Sequence, residues 1–189
     1  MALLLTTPPS AEPLALADVK AHLRLAITDD DAYITGLITA ARRAIESRYG
    51  LAIMPQSWAL FADHWPHHNI FHIPLWPILS ADSITLFADD DTSAIIDPSA
   101  YYLDMATRPC RVALRQGRIF PEPARNINGI KLSFTAGFGA NATFVPAEIK
   151  EGLMAAVANW YQNRGDVSGT ILPTTAIEAL SAYQNARLA

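Results

Sequence analysis

The stretch from Thr28 to Gly50 constrains the fold most, because its start, its apolar face and its end all indicate one helix. Its apolar side chains recur at helical spacing and form a single stripe, which consists of Ile34, Leu37, Ile38, Ala41, Ile45 and Tyr49. The residues mostly off this stripe are Arg42, Arg43, Glu46 and Ser47. Thr28 with Asp31 forms an acidic variant of the capping box, and Gly50 supplies a left-handed stop. We therefore predict a helix over residues 29–50 that buries one face.

Composition limits the classes of protein that fit this chain. Of its 189 residues, 51% are hydrophobic and 17% are charged, so a core can be buried and disorder is not expected. The formal net charge of −4 argues against a protein that binds nucleic acid through its phosphates, because such a protein needs a basic surface. Cys110 is the only cysteine, so an internal disulfide and a thiolate metal cage are excluded, and we expect a half-buried, unreactive thiol.

Targeting and membrane signals are not apparent in the sequence. The first ten residues, M-A-L-L-L-T-T-P-P-S, lack the basic region of a signal peptide. No run approaches the ~20 apolar residues of a membrane span. We expect a soluble protein, made in a reducing compartment, with no membrane partner.

The order of the patterns predicts an α+β fold, a small helical bundle with an antiparallel β insertion. Helices are predicted over residues 16–26, 29–50 and 146–164, and the insertion of short strands over residues 56–138. The candidate strands are Gln56–Ala62, Ile70–Ile73, Ser83–Phe87, Ala94–Ile96, Tyr101–Asp104, Arg111–Arg115, Gly117–Phe120 and Ile130–Ala136. Residues 1–13 are predicted to be an extended arm that can dock on a neighbour, 14–165 the main domain, and 166–189 a linker and a C-terminal helix.

No motif for catalysis stands out. Four of the five histidines lie between His64 and His72, and His68 and His72 could share one strand face, so adventitious metal binding is an alternative to a polar loop edge. Asp89-Asp90-Asp91 lacks the alternating ligands of a calcium loop and is predicted to be a hairpin turn. We find no nucleophile elbow, phosphate loop or zinc motif, and we predict no enzyme activity, no cofactor and no metal site.

Several short segments follow one another in a distinctive order over residues 14–165. They are L-A-D-V-K-A-H-L-R-L (Leu16–Leu25), D-D-A-Y-I-T-G-L-I-T-A-A-R-R-A-I-E (Asp30–Glu46), Q-S-W (Gln56–Trp58), I-P-L-W-P-I (Ile73–Ile78), Y-Y-L-D (Tyr101–Asp104), K-L-S-F-T-A-G-F-G (Lys131–Gly139), V-P-A-E-I-K (Val145–Lys150) and W-Y-Q-N-R (Trp160–Arg164). This order resembles the head–tail connector, or adaptor, family of long-tailed phages and gene transfer agents. Residues 14–165 would then be the connector domain.

The resemblance implies a structural role in the neck of a phage-like particle assembled in the bacterial cytoplasm. Such adaptors form a ring, here a dodecamer, below the portal protein and join the capsid to a stopper or tail protein, while DNA passes without specific binding. The C-terminal segment would reach the portal, with Leu172, Ile177, Leu180 and Tyr183 as candidate contacts. Alternatively, this helix folds back on its own bundle. Other functions left open are another neck or tail-completion protein and a metal-binding protein that uses the histidine cluster.

Overall fold

Helices and antiparallel strands follow one another as the sequence predicts, which confirms the α+β class. The computed structural model describes residues 1–117, 121–164 and 172–184. The strands are β1 (Ala2–Thr7), β2 (Gln56–Ala62), β3 (Ile70–Ile73), β4 (Ile78–Phe87), β5 (Ser93–Ile95), β6 (Tyr101–Asp104), β7 (Cys110–Leu114) and β8 (Ile130–Ala136). The helices are α1 (Leu16–Leu23), α2 (Asp31–Tyr49), α3 (Ala147–Gln162) and α4 (Thr174–Ala179).

The chain divides into two units, each made of two separate stretches. A β unit comprises Met1–Ser10 and Pro55–Phe138. A helical unit comprises Ala11–Met54 and Gly139–Ala189, within the described parts of those ranges. The predicted main domain, residues 14–165, therefore contains most of both units.

The β unit holds a five-stranded antiparallel sheet in the order β1-β2-β8-β4-β5. Leu60 of β2 and Ile84 of β4 both lie opposite Leu132 of β8, and these three side chains are at most 3% exposed, so they form the inward face. β8 alternates between its two faces, because Ile130, Leu132, Phe134 and Ala136 are buried and the residues between them are not. Each buried aliphatic side chain in such a layer contributes about 1.5–3 kcal/mol to folding.

A second sheet of the β unit has three strands in the order β3-β7-β6. Phe71 lies opposite Val112, and Leu103 lies opposite Val112 on the other side, so these residues share the inward face. The next row, His72–Arg111–Asp104, lies on the opposite face.

Most of the predicted strands are confirmed, although β5 and β7 lie one residue earlier than predicted, β4 is longer, and β1 is an additional strand. β2, β3, β6 and β8 have the predicted limits, whereas β4 begins at Ile78, five residues before the predicted Ser83. β1 was predicted only as an extended arm, and the structure pairs it with β2, with Leu3 opposite Leu60. The predicted strand Gly117–Phe120 lies outside the described residues after Gly117. The Asp89–Asp91 turn is confirmed, because it links β4 to β5 and Thr92 donates a backbone hydrogen bond of 3.0 Å to Asp90.

In the helical unit, α2 buries one face, as the apolar stripe predicts. Ile34, Ile38, Ala41 and Ile45 are at most 2% exposed. Two positions differ from the prediction: Leu37 is only half-buried, whereas Arg42, assigned to the polar side, is 6% exposed. Gly50 ends the helix in the left-handed region with φ 63°, as predicted.

The start of α2 differs from the predicted capping box. The N-cap is Asp30, not Thr28, and no side chain caps the first free N–H groups. Thr28 contributes its backbone carbonyl, which accepts a hydrogen bond of 3.1 Å from Asp31 N. The Asp30 carboxylate makes its contacts elsewhere, with the end of α3.

The apolar stripe of α3 faces the core of the helical unit, and α1, α2 and α4 all pack against α3. Ile149, Leu153, Ala156 and Val157 are fully buried. The predicted C-terminal helix is α4 in the described residues; it ends at Ala179, and a 3-10 turn follows at Ser181–Tyr183. Residues 166–171 of the predicted linker, and 185–187 of the predicted helix, lie outside the described residues.

Candidate interaction surfaces

A buried arginine holds together three segments of the helical unit. Arg42 Nε donates a hydrogen bond of 2.7 Å to Glu12 Oε2, and its Nη1 donates one of 2.8 Å to Glu46 Oε2. Glu46 Oε1 accepts a hydrogen bond of 2.9 Å from the backbone N–H of Ile53, and Thr39 donates one of 2.9 Å to Glu12. Burial alone lowers the pKa of Arg42, but the hydrogen bonds and charges of Glu12 and Glu46 raise it above its ordinary value. Arg42 therefore remains charged and fixes the chain before α1 and after α2.

A second polar cluster joins the start of α2 to the end of α3, and we call it the aromatic clamp (Asp30, Tyr33, Tyr161 and Arg164). The Tyr161 hydroxyl donates a hydrogen bond of 2.5 Å to Asp30 Oδ2. Arg164 Nη2 lies 2.8 Å from the same oxygen. The Arg164 guanidinium carbon also lies 4.4 Å from the Tyr33 ring centroid and 4.3 Å from that of Tyr161, within cation–π range.

The electrostatics of the aromatic clamp agree with this geometry. Hydrogen bonds from Arg164 and Tyr161 lower the pKa of the Asp30 carboxyl, whereas the hydrogen bond to Asp30 raises the pKa of Tyr161. The pKa of Arg164 is raised, mainly by its hydrogen bond to Asp30. Asp30 is thus held as a carboxylate between two donors.

Sequence reasoning missed the aromatic clamp. The periodicity of either helix does not relate Asp30 to Tyr161. The available signal was that the segments Asp30–Glu46 and Trp160–Arg164 both belong to the ordered series that resembles the connector family. That series does not indicate that the ends of these two segments meet.

The C-terminal segment packs on its own helical unit, which is the alternative left open by the sequence. Leu172 and Leu180 are at most 1% exposed, whereas Ile177 and Tyr183 are half-buried. Leu180 packs directly against Gly152 of α3, since a Cβ atom at Gly152 would lie 3.0 Å from Leu180 Cγ. Of the four predicted partner contacts, only Ile177 and Tyr183 are accessible while α4 stays docked.

The predicted histidine cluster is not brought together on one strand. His68 lies in a 3-10 turn with φ 58°, and His72 follows in β3, both with exposed side chains. Across residues 1–117, 121–164 and 172–184, no group of three or more His, Cys, Asp or Glu side chains is arranged to hold a metal ion. Cys110 is 1% exposed, more buried than predicted, and this burial raises the pKa of its thiol.

The edge of the five-stranded sheet carries exposed apolar side chains. β1 contains no charged residue, and Leu4 and Leu5 are 56% and 39% exposed. At the opposite edge, Ile95 of β5 is 68% exposed. Exposed apolar edges are competent for contact with other chains. Within the described parts of the chain, none of the helices has the length and apolar character needed to cross a membrane.

Comparison with known proteins relates part of this chain to one family. Residues 14–66 match the model of a family described as phage gp6-like head-tail connector protein. This match confirms the resemblance seen in the sequence. A search of curated proteins returned no match.

Solved structures with the same fold come from gene transfer agent (GTA) particles. A chain from the neck of an empty GTA particle with C6 symmetry is 22% identical, with a TM-score of 0.83, and the match covers 100% of this chain and 98% of that one. A chain from the virion of a native GTA particle is 21% identical, with the same TM-score and coverage. A third, from the neck of a native GTA particle with C12 symmetry, is also 21% identical, with the same TM-score and coverage.

Proposed function

We propose that this protein is a structural adaptor in the neck of a tailed-phage-like particle. Copies of the chain form a ring below the portal protein, join the capsid to the stopper or tail, and leave a channel for DNA. The role requires no catalysis and no cofactor. The particle is assembled in the bacterial cytoplasm.

The observation that carries this proposal is the extent of the fold match. It covers this chain from end to end and nearly all of a chain from a GTA neck, so the whole architecture is common to both and not only one helix pair. The connector family match over residues 14–66 is an independent support from sequence. The necks of two matched chains were computed with C6 and C12 symmetry, and this favours a closed ring, which forms when a heterologous interface closes on itself.

Charge supports passage of DNA without binding. A formal net charge of −4 gives the chain no general attraction for phosphates. If the chain gripped DNA through ion pairs, its affinity would fall steeply with added salt. We expect no measurable salt-dependent binding to duplex DNA.

The C-terminal segment is our candidate for contact with the portal. Ile177 and Tyr183 are only half-buried, so their exposed parts are available to a partner while the segment stays docked on α3. Leu172 and Leu180 hold the segment on α3 and contact a partner only if the segment detaches. Deleting the whole segment would also uncover α3 at Gly152, so point substitutions give a cleaner test than truncation.

Particle assembly tests the role directly. Portal-bearing capsids are mixed with the purified protein, and the neck is imaged by electron cryomicroscopy. We expect a ring of this chain beneath the portal. Particles that complete their necks normally without this protein would overturn the proposal.

Paired substitutions test the portal contact. Ile177→Asp and Tyr183→Asp are compared with Thr175→Asp, which introduces the same charge at an exposed position of α4. We expect the first two to abolish co-sedimentation with portal-bearing capsids and the third to retain it, with similar melting temperatures. Normal attachment of both Ile177→Asp and Tyr183→Asp would show that the portal is contacted elsewhere.

A further inference from the structure

The aromatic clamp breaks a local rule of helix construction. Asp30 occupies the N-cap of α2, where a carboxylate ordinarily accepts hydrogen bonds from the first free N–H groups, yet it makes no such bond. Its carboxylate accepts from Tyr161 and Arg164 at the far end of α3 instead. Local preferences are given up mainly where a long-range contact has a function.

The end of α3 depends on this contact. Its C-cap, Asn163, has φ −107° and is not the left-handed glycine that often stops a helix. The Asn163 side chain donates a hydrogen bond of 2.9 Å to Asn159 O, and the next residue is Arg164. The guanidinium of Arg164, placed between two tyrosine rings and a carboxylate, also puts positive charge at the negative end of the helix dipole.

The clamp lies where the C-terminal segment begins. After Arg164, the chain is next described at Leu172, which is 1% exposed, and α4 then packs on α3. The segment is held on α3 by Leu180 over Gly152, and the clamp fixes the end of that same helix.

We infer that Asp30, Tyr161 and Arg164 are positioning residues for the partner-binding segment, which they present to the portal in a fixed place by locking the end of α3. This inference rests on the proposed function for its portal readout. The segment then meets its partner preorganised, so that less conformational entropy is lost on binding than for a free peptide.

The test uses the full chain with Arg164→Ala, Arg164→Lys and Tyr161→Phe, and Arg48→Ala as the matched control. Arg48 is an exposed arginine near the end of α2, and its guanidinium lies 5.9 Å from the neighbouring Tyr49 ring. Amide hydrogen exchange reports the last turn of α3 and α4 separately from the rest of the chain. Co-sedimentation with portal-bearing capsids reports the attachment.

We expect Arg164→Ala to speed amide exchange by about tenfold in the last turn of α3 and in α4, while exchange in the remaining core is unchanged. Attachment should weaken by at least a similar factor. Arg164→Lys should be intermediate, because lysine keeps the ion pair but loses the planar stacking between the rings. Tyr161→Phe should speed exchange less than Arg164→Ala, since it removes one hydrogen bond, and Arg48→Ala should match the parent protein.

Unchanged exchange in Arg164→Ala would overturn the inference. So would faster exchange with normal attachment, if Ile177→Asp abolishes attachment in the same assay. If Ile177→Asp and Tyr183→Asp attach normally while Arg164→Ala still speeds exchange, the portal contact is wrong and the locking of α3 stands.

Discussion

Arg42 and Glu12 are 30 positions apart in the sequence and form a two-point contact, with Nε–Oε2 and Nη2–Oε1 distances of 2.7 and 3.2 Å. The guanidinium is almost fully buried, and Glu46 binds its remaining side. A buried cation with two carboxylates is most stable while all partners are present, because its own contact with water is almost completely lost.

We expect Arg42→Met to lower the free energy of unfolding by about 2–4 kcal/mol, because it leaves Glu12 and Glu46 without their counter-ion in a mostly dry site. Urea denaturation followed by circular dichroism measures this change. The control is Arg43→Met, an exposed neighbour on the same helix, for which we expect a change within about 0.5 kcal/mol. Equal effects of the two substitutions would show that the Arg42 network does not stabilise the helical unit.

Gly36 lies in the interior of α2, and a Cβ atom added there would meet nothing within 4 Å. Since alanine loses less backbone entropy than glycine on forming a helix, Gly36→Ala should raise the free energy of unfolding by about 0.5–1 kcal/mol. Thermal or urea denaturation of the isolated protein provides the measurement. A destabilised variant would mean that the surroundings of Gly36 are tighter than the structure shows.

Gly152 is the matched opposite case, because a Cβ atom there would lie 3.0 and 3.1 Å from Leu180 Cγ and Cδ1. Leu180 is fully buried and has little room to move. We expect Gly152→Ala to be less favourable than Gly36→Ala by about 1 kcal/mol or more, with faster amide exchange in α4. If the two substitutions were equally stabilising, α4 would not be seated on Gly152.

Asp30 should make stability depend on pH. Its folded-state pKa is lowered below the ordinary value of 3.8, so the unfolded chain binds the proton more tightly. The stabilisation is therefore present above the ordinary pKa and is lost as the pH falls through the lower, folded-state pKa. The groups that face this carboxylate are Arg164 and Tyr161, and the adjacent Asp31 pairs with Lys20.

The difference in melting temperature between the parent protein and Asp30→Asn measures this dependence. We expect a difference that is constant near neutral pH and shrinks in acid, below about pH 4. Asp29→Asn, at an exposed neighbouring position, is the control and should show a much smaller difference. A difference that grows in acid would contradict the sign of the pKa shift.

The elements that sequence predicts well are those whose signals are local. β8 alternates between apolar and polar residues along its own length, and α2 carries its stripe and its stop within one stretch. Both could therefore be placed without knowing their neighbours.

The features that sequence missed all depend on distant partners. Arg42 appears polar and exposed until Glu12 is placed beside it. Asp30 looks like a capping residue until Tyr161 and Arg164 approach it. In physical terms, burial and pairing of a charge are set by tertiary contacts, which periodicity along one helix does not encode.

The pairing of Leu3 with Leu60 has a consequence for how the protein is made. β1 precedes α1, α2 and β2 in the chain, so it cannot pair until β2 has been synthesised, and the helical unit is likewise incomplete until α3 has been made. Neither unit is a continuous stretch of chain, so no single continuous fragment contains the whole of one unit without part of the other. Any effort to produce one unit alone would have to rejoin its two stretches with a new loop, as in a circular permutation or an excised insertion.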